Sequence, residues 1–163
     1  MQGNRDFLLG IQYCQRVGAS LLTDPSVVEL YGEPVLLMHG DSLCTGDAEY
    51  QAFRLQARDP DWQAQLMAQP LAERRALAAQ LRAMSKDANS NKAEDIMDVT
   101  PYEVDRVMAE SGVSCLIHGH THRPARHEVN QGIRWVLGDW DQKGWYIELN
   151  DGEKNLVEFN IIH

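Results

Sequence analysis

Cysteine is scarce in this chain, and Cys14, Cys44 and Cys115 share no short paired spacing. That excludes a disulfide framework and a cysteine zinc knuckle, and reads as three reduced thiols. No apolar run approaches the ~20 residues that a membrane-spanning helix needs. No signal-peptide pattern opens the chain, so the expected location is the cytosol. Internal repeats and low-complexity tracts are absent. Positive charge is the minority sign: 15 Lys and Arg stand against 24 Asp and Glu, for a net charge of -9. That balance argues against nucleic acid as a partner. Residues 46–90 hold almost no β-branched side chains, which disfavours strand there and leaves helix.

What remains is an ordinary globular composition, 44% hydrophobic and 24% charged over 163 residues. This suffices for one domain with its own core. The charge is uneven: residues 51–92 carry seven Lys or Arg and four Asp or Glu, a local +3, while the rest totals -12. The basic segment reads either as a local anion-binding surface or as a solvated helical face.

Three glycine-bracketed polar clusters stand out. Val113–His118 is an apolar run that predicts a buried strand, closed by Gly119-His120-Thr121-His122. On an extended segment, side chains two apart point the same way, so His120 and His122 are expected to face one site as a pair of metal ligands. Val35–Met38 predicts a second strand, closed by His39-Gly40-Asp41. Gly3-Asn4-Arg5-Asp6 forms the third cluster. His39 alone reads equally as a ligand and as a hydrogen-bonded turn residue. Arg5 offers a fork of donors to phosphate, or an ion pair to Asp6. His118 reads as a ligand support, a phosphate contact or a structural residue. Arg123 falls beside the same cluster, whereas His127 and His163 have no motif around them. Asn4, His39, His120 and His122 are all uncharged donors. A site for divalent cations would also recruit a carboxylate, with Asp6, Asp41 and Asp47 nearest in sequence. The chemistry such a site permits is hydrolysis at phosphorus by metal-activated water.

The remaining pattern predicts a helix over Phe7–Arg16 and short strands at 20–22 and Val27–Tyr31. The Gly32-Glu33 turn makes Val27–Met38 a hairpin. Asp47 is the expected cap of the first of several helices, with Pro60 and Pro70 opening later ones. Leu71, Leu77, Leu81 and Met84 form a helical stripe. Ser85, Asn89 and Lys92 share one face at the end of that helix. They present a hydroxyl, an amide and an ammonium to a polar ligand, or else belong to a solvated helix end. Thr100-Pro101-Tyr102-Glu103 predicts a capped helix ending at Gly112. Strands are expected over Ile133–Leu137, Trp145–Leu149 and Leu156–Ile162. The helical segment 46–95, set between two ligand-bearing strands, has the placement of a lid.

The three clusters resemble the later motifs of the calcineurin-like metallophosphoesterases. The wider wording, Gly3 to Gly10, His39 to Thr45, Ser85 to Ser90, Ile117 to Pro124 and Val136 to Trp140, is similar to the UDP-2,3-diacylglucosamine hydrolases of lipid A biosynthesis within that superfamily. The resemblance implies an α/β fold, a β-sandwich flanked by helices, with residues 1–163 as one domain and a helical cap at about 46–95. It implies two Mn2+ ions and hydrolysis of UDP-2,3-diacylglucosamine at its pyrophosphate to UMP and 2,3-diacylglucosamine 1-phosphate. By motif, Asn4, His39, His120 and His122 would be metal ligands, with Asn4, Arg5 and His120 catalytic. Asp47, Ser85, Asn89 and Lys92 would join Asn4, Arg5 and His120 in binding substrate. The apolar side chains of 46–84 would flank acyl chains, and the basic excess of 51–92 would meet an anionic inner membrane from its cytoplasmic face. The family's opening Asp-x-His and Gly-Asp-x-x-Glu motifs do not occur here. The expectation is therefore that the chain is the C-terminal two-thirds of such an enzyme, lacking its first strands and having little or no hydrolase activity alone. A phosphoesterase for other nucleotides, or a degenerate module without catalysis, is the alternative. The residues leave the oligomeric state open.

Overall fold

The computed structural model describes residues 1–91 and 96–161, the side chains of 86–91 excepted. Helix α1 (Ile11–Val17) precedes the hairpin β1 (Ser26–Leu30) and β2 (Glu33–Met38). A single 3-10 turn, Asp41–Leu43, leads into α2 (Ala48–Ala57), α3 (Pro60–Ala68) and α4 (Leu71–Asn91). Then come α5 (Pro101–Ser111), β3 (Cys115–His118), β4 (Ala125–Val129), β5 (Gly132–Val136), β6 (Lys143–Asn150) and β7 (Glu153–Asn160).

The fold is mixed α/β, as expected. Five strands form one sheet in the order β1-β2-β3-β5-β4, and β6 pairs with β7 in a second sheet. The central strands β2, β3 and β5 run parallel, and the two edges are antiparallel. Every residue of β3 is buried, as a strand covered on both faces requires. One face packs Leu36, Met38 and Leu116 against Val104 and Met108 of α5, with Leu43 and Val99. The other packs Val35, Ile117 and Trp135 towards Ile147 of β6 and Leu156 of β7, giving a sandwich on that side.

The helical segment forms where expected. Asp47 caps α2 by accepting the Tyr50 N–H at 3.0 Å, and Pro60 occupies the first turn of α3. Several elements differ. Residues 20–22 form no strand, and the first helix starts only at Ile11. Residues 6–9 turn instead, with Leu9 N–H donating to Asp6 O at 2.8 Å, and Phe7 is drawn against the Trp62 ring at 5.9 Å. Burying one aromatic ring outweighs one more helical turn. Thr100 does not cap α5 through its side chain. Its hydroxyl meets Thr45 Oγ1 at 2.7 Å instead. β4 lacked a motif and a clear apolar run, yet its alternating half-buried pattern fits an edge strand.

Candidate active site

The parallel pairing of β2 with β3 builds the site. Met38 lies opposite His118, so both strands end at the same edge and their next residues emerge together. Gly119 N–H donates to His39 O at 3.0 Å and locks the two ends. Ligand sites of open α/β sheets form at this carboxyl edge.

Gly40 has φ +106°, and a Cβ there would stand 2.6 Å from His118 Nδ1 and 3.2 Å from Gly119 O. Only glycine lets the chain turn this closely over β3. The His39 ring lies edge-on to His120, 5.0 Å between centroids. The Asn4 N–H donates to His39 Nε2 at 3.2 Å, so the third cluster joins the first two. His120 and His122 do not extend from β3 as expected. Both take positive φ, 67° and 54°, in a tight turn where Thr121 N–H reaches Gly119 O at 2.8 Å. Left-handed non-glycine residues are uncommon and cluster at functional sites. His122 is exposed, while burial, and then the neighbouring His39, push His120 down to about 4. Burial likewise lowers His39. Both imidazoles are therefore neutral at pH 7, with a lone pair each.

His118 is structural. It is 1% exposed, its Nδ1–H donates to Gly119 O at 2.9 Å, and its Nε2 accepts from Arg134 Nη1 at 3.3 Å. Burial pushes it down to about 4. Arg134→Met should leave Nε2 a buried acceptor without a donor, and lower stability by about 1–3 kcal/mol in urea unfolding. His127, expected at the surface, is half-buried on β4 in register with Arg134.

Asp24 accepts from the His39 N–H at 3.2 Å and keeps a second, buried oxygen without a partner among the described residues, whereas the carboxylates singled out in the sequence are engaged by other groups. Asp6 accepts from the Gly3 N–H. Asp47 caps α2. Asp41 is wholly buried. It pairs with Arg54 at 3.1 Å and Arg58 at 3.7 Å, and accepts from Tyr50 Oη at 2.9 Å. Burial alone would raise its pKa, but Arg54, His39 and Tyr50 together hold it below the usual carboxylate range. The Tyr50 ring also covers His120 at 5.2 Å. Tyr50, Arg54 and Arg58 were not singled out in the sequence, although their spacing of four marks one helix face.

The donor set does not fit two Mn2+ ions. Asn4, His39, His120 and His122 offer only neutral nitrogen and amide oxygen, and one His39 nitrogen is already held by Asn4. Among the described residues, no three His, Cys, Asp or Glu are grouped to hold an ion. Two divalent cations call for several carboxylates, and Asp24 beside His39 brings one carboxylate to that edge.

A cavity of about 360 Å³ lies between the Asn4–Arg5 loop and the helices, and His39, His120 and His122 are not among its lining residues. Asn4 and Arg5 line it together with Phe53, Leu66, Leu77, Leu81 and Met84, and Asp47, Glu49, Arg74, Arg82 and Ser85 are also in its wall. Leu71, placed on the same stripe, is exposed instead. Asn89 (by its side chain), Lys92 and His163 lie outside the described residues. Arg123 pairs with Asp98 at 2.9 Å, beside the start of α5.

The chain is 64% identical over 154 residues to a UDP-2,3-diacylglucosamine hydrolase of Cellvibrio japonicus, covering 92% of this chain and 64% of that protein. It is 56% identical over 165 residues to the protein so named in Chromohalobacter salexigens, covering 98% of this chain and 67% of the other. The chain belongs to the UDP-2,3-diacylglucosamine hydrolase family. A Pseudomonas fluorescens member aligns along 100% of the chain at 50% identity, with 67% of its own length covered. The chain thus spans about two thirds of the length of the curated relatives it matches. No family model matches it.

Proposed function

We propose that this chain serves the hydrolysis of UDP-2,3-diacylglucosamine at its pyrophosphate, in lipid A biosynthesis, as a single domain with a helical cap. The carrying observation is the cavity, whose wall combines Asn4 and Arg5 with apolar side chains of α2, α3 and α4 and the charged Glu49, Arg74 and Arg82. A diphosphate and two acyl chains have that same polarity. Arg5 would grip phosphate oxygens through its guanidinium fork, and Asn4 with His120 would flank the reacting group. Asp47, Ser85, Asn89 and Lys92 are proposed to hold the sugar and its substituents. Asn4, His39, His120 and His122 are proposed as the protein's contribution to cation binding. The two Mn2+ ions implied by the resemblance do not fit these donors by themselves.

The basic helices would meet an anionic membrane from its cytoplasmic side, with the protein peripheral to it. Among the described residues no helix is long and apolar enough to cross a membrane.

Direct binding tests this reading. The chain should bind UDP-2,3-diacylglucosamine at least about tenfold more tightly than UDP-glucosamine, since burying acyl methylenes is worth ~0.8 kcal/mol each. Leu77→Asp should erase the difference without weakening the UDP contribution. Equal affinities in the parent chain would refute the acyl groove and favour another nucleotide substrate. Binding of neither ligand would favour a non-enzymatic module.

A further inference from the structure

The loop carrying Asn4 and Arg5 is held chiefly by the helical cap. Gln2 is the point of attachment: its backbone O accepts from Arg58 Nη2 at 3.0 Å, and its Oε1 accepts from Arg58 Nη1 at 3.3 Å. The Gln2 amide nitrogen then donates to Leu9 O and closes the loop on itself. The same Arg58 guanidinium lies 3.7 Å from the buried Asp41 carboxylate. Asp41 is two residues beyond His39 on the β2 end. A second contact of the same kind follows at Phe7, which is buried and meets Trp62 of α3. Towards the sheet, the loop's polar link is Asn4 N–H to His39 Nε2.

We infer that Arg58 is a positioning residue: it spans Asp41 and Gln2 and thereby sets Asn4 and Arg5 against His39. A planar fork with five donors suits this task, because one group must satisfy a carboxylate, a carbonyl and an amide oxygen together. The side chain is mostly buried, 21% exposed, so these contacts are not those of a freely hydrated surface arginine. The cap thus has a second task besides lining the cavity. It carries the polar end of the site, and a shift of α2 would be transmitted to Asn4. This inference rests on the reading of Asn4, Arg5 and His39 as one site, but its test needs neither substrate nor metal.

Amide exchange and imidazole nitrogen resonances of the isotope-labelled chain decide it. Arg58→Met should raise the exchange rate of the Asn4 amide by about tenfold. It should also shift the His39 Nε2 resonance as that acceptor loses its donor. The amides of Leu116 and Ile117 in β3 should keep their protection. Arg58→Lys should restore part of the effect, and Arg75→Met, on the exposed face of α4, none of it. Gln2→Ala removes one acceptor of Arg58 and the donor to Leu9 O without touching the core, and should give a smaller rise confined to residues 3–9. An Asn4 amide and His39 resonance unchanged in both Arg58→Met and Gln2→Ala would overturn the inference. So would a loss of protection that spreads equally into β3. Failure of lipid binding with these exchange effects intact would fall on the proposed function and leave the positioning role standing.

Discussion

Gly40→Ala should strongly destabilise the candidate site, lowering the thermal midpoint by on the order of 10 °C. Two costs add. The φ of +106° lies where L side chains are strained, and the new Cβ would meet His118 Nδ1 at 2.6 Å and Gly119 O at 3.2 Å. Neither neighbour can yield cheaply. His118 is buried and tethered at both ring nitrogens, to Gly119 O and to Arg134. Gly119 is bonded through its own N–H to His39 O. Left-handed strain costs about 1–3 kcal/mol, and overpacking a fixed contact adds about 1–3 kcal/mol. Calorimetry of the variant checks the sum, and the double variant with His118→Ala separates its parts. Removing the imidazole should recover the steric share and leave the backbone share. An unchanged midpoint in Gly40→Ala would show that the two strand ends are not locked as described.

Asp41→Asn should cost about 3 kcal/mol of stability in denaturant unfolding. Removing one partner of a buried ion pair typically costs about 3–5 kcal/mol, because the other charge loses its compensation. The low end applies here, since Arg54 and Arg58 keep 20% and 21% exposure and can turn partly to water. Asparagine preserves shape, and an amide oxygen can still accept from Tyr50. What it removes is the negative charge that gathers two guanidinium groups beside the histidines. Asp41 also anchors α2 through its backbone, with Gln51 Nε2 donating to Asp41 O at 2.8 Å. That bond survives in the variant, so the helix should stay docked while unfolding at lower denaturant concentration. A loss under about 1 kcal/mol, the worth of an exposed pair, would show that water screens the cluster.

Local chemistry made much of this molecule readable in advance. Asp47 with a polar, Ala-rich run behind it specifies a capped helix whatever it later packs against. The apolar strands before His39 and His120 must be buried, and a glycine after each must turn. Motif wording further identified the family.

The tertiary arrangement decided other matters. The turn that carries His120 and His122 is closed locally by Thr121 N–H on Gly119 O, but its placement depends on the Gly119 N–H bond to His39 O, which exists only because β2 lies beside β3. His118 reads alone as a ligand support, a phosphate contact or a structural residue, and becomes fixed as structural only when Arg134 arrives from β5. Asp41 looks available to a cation, until α2 folds back and brings Tyr50, Arg54 and Arg58 onto it. Spacing along the chain dictates which side chains share a face. Which partner reaches that face first depends on long-range pairing, and a carboxylate already neutralised by two arginines is no longer a ligand.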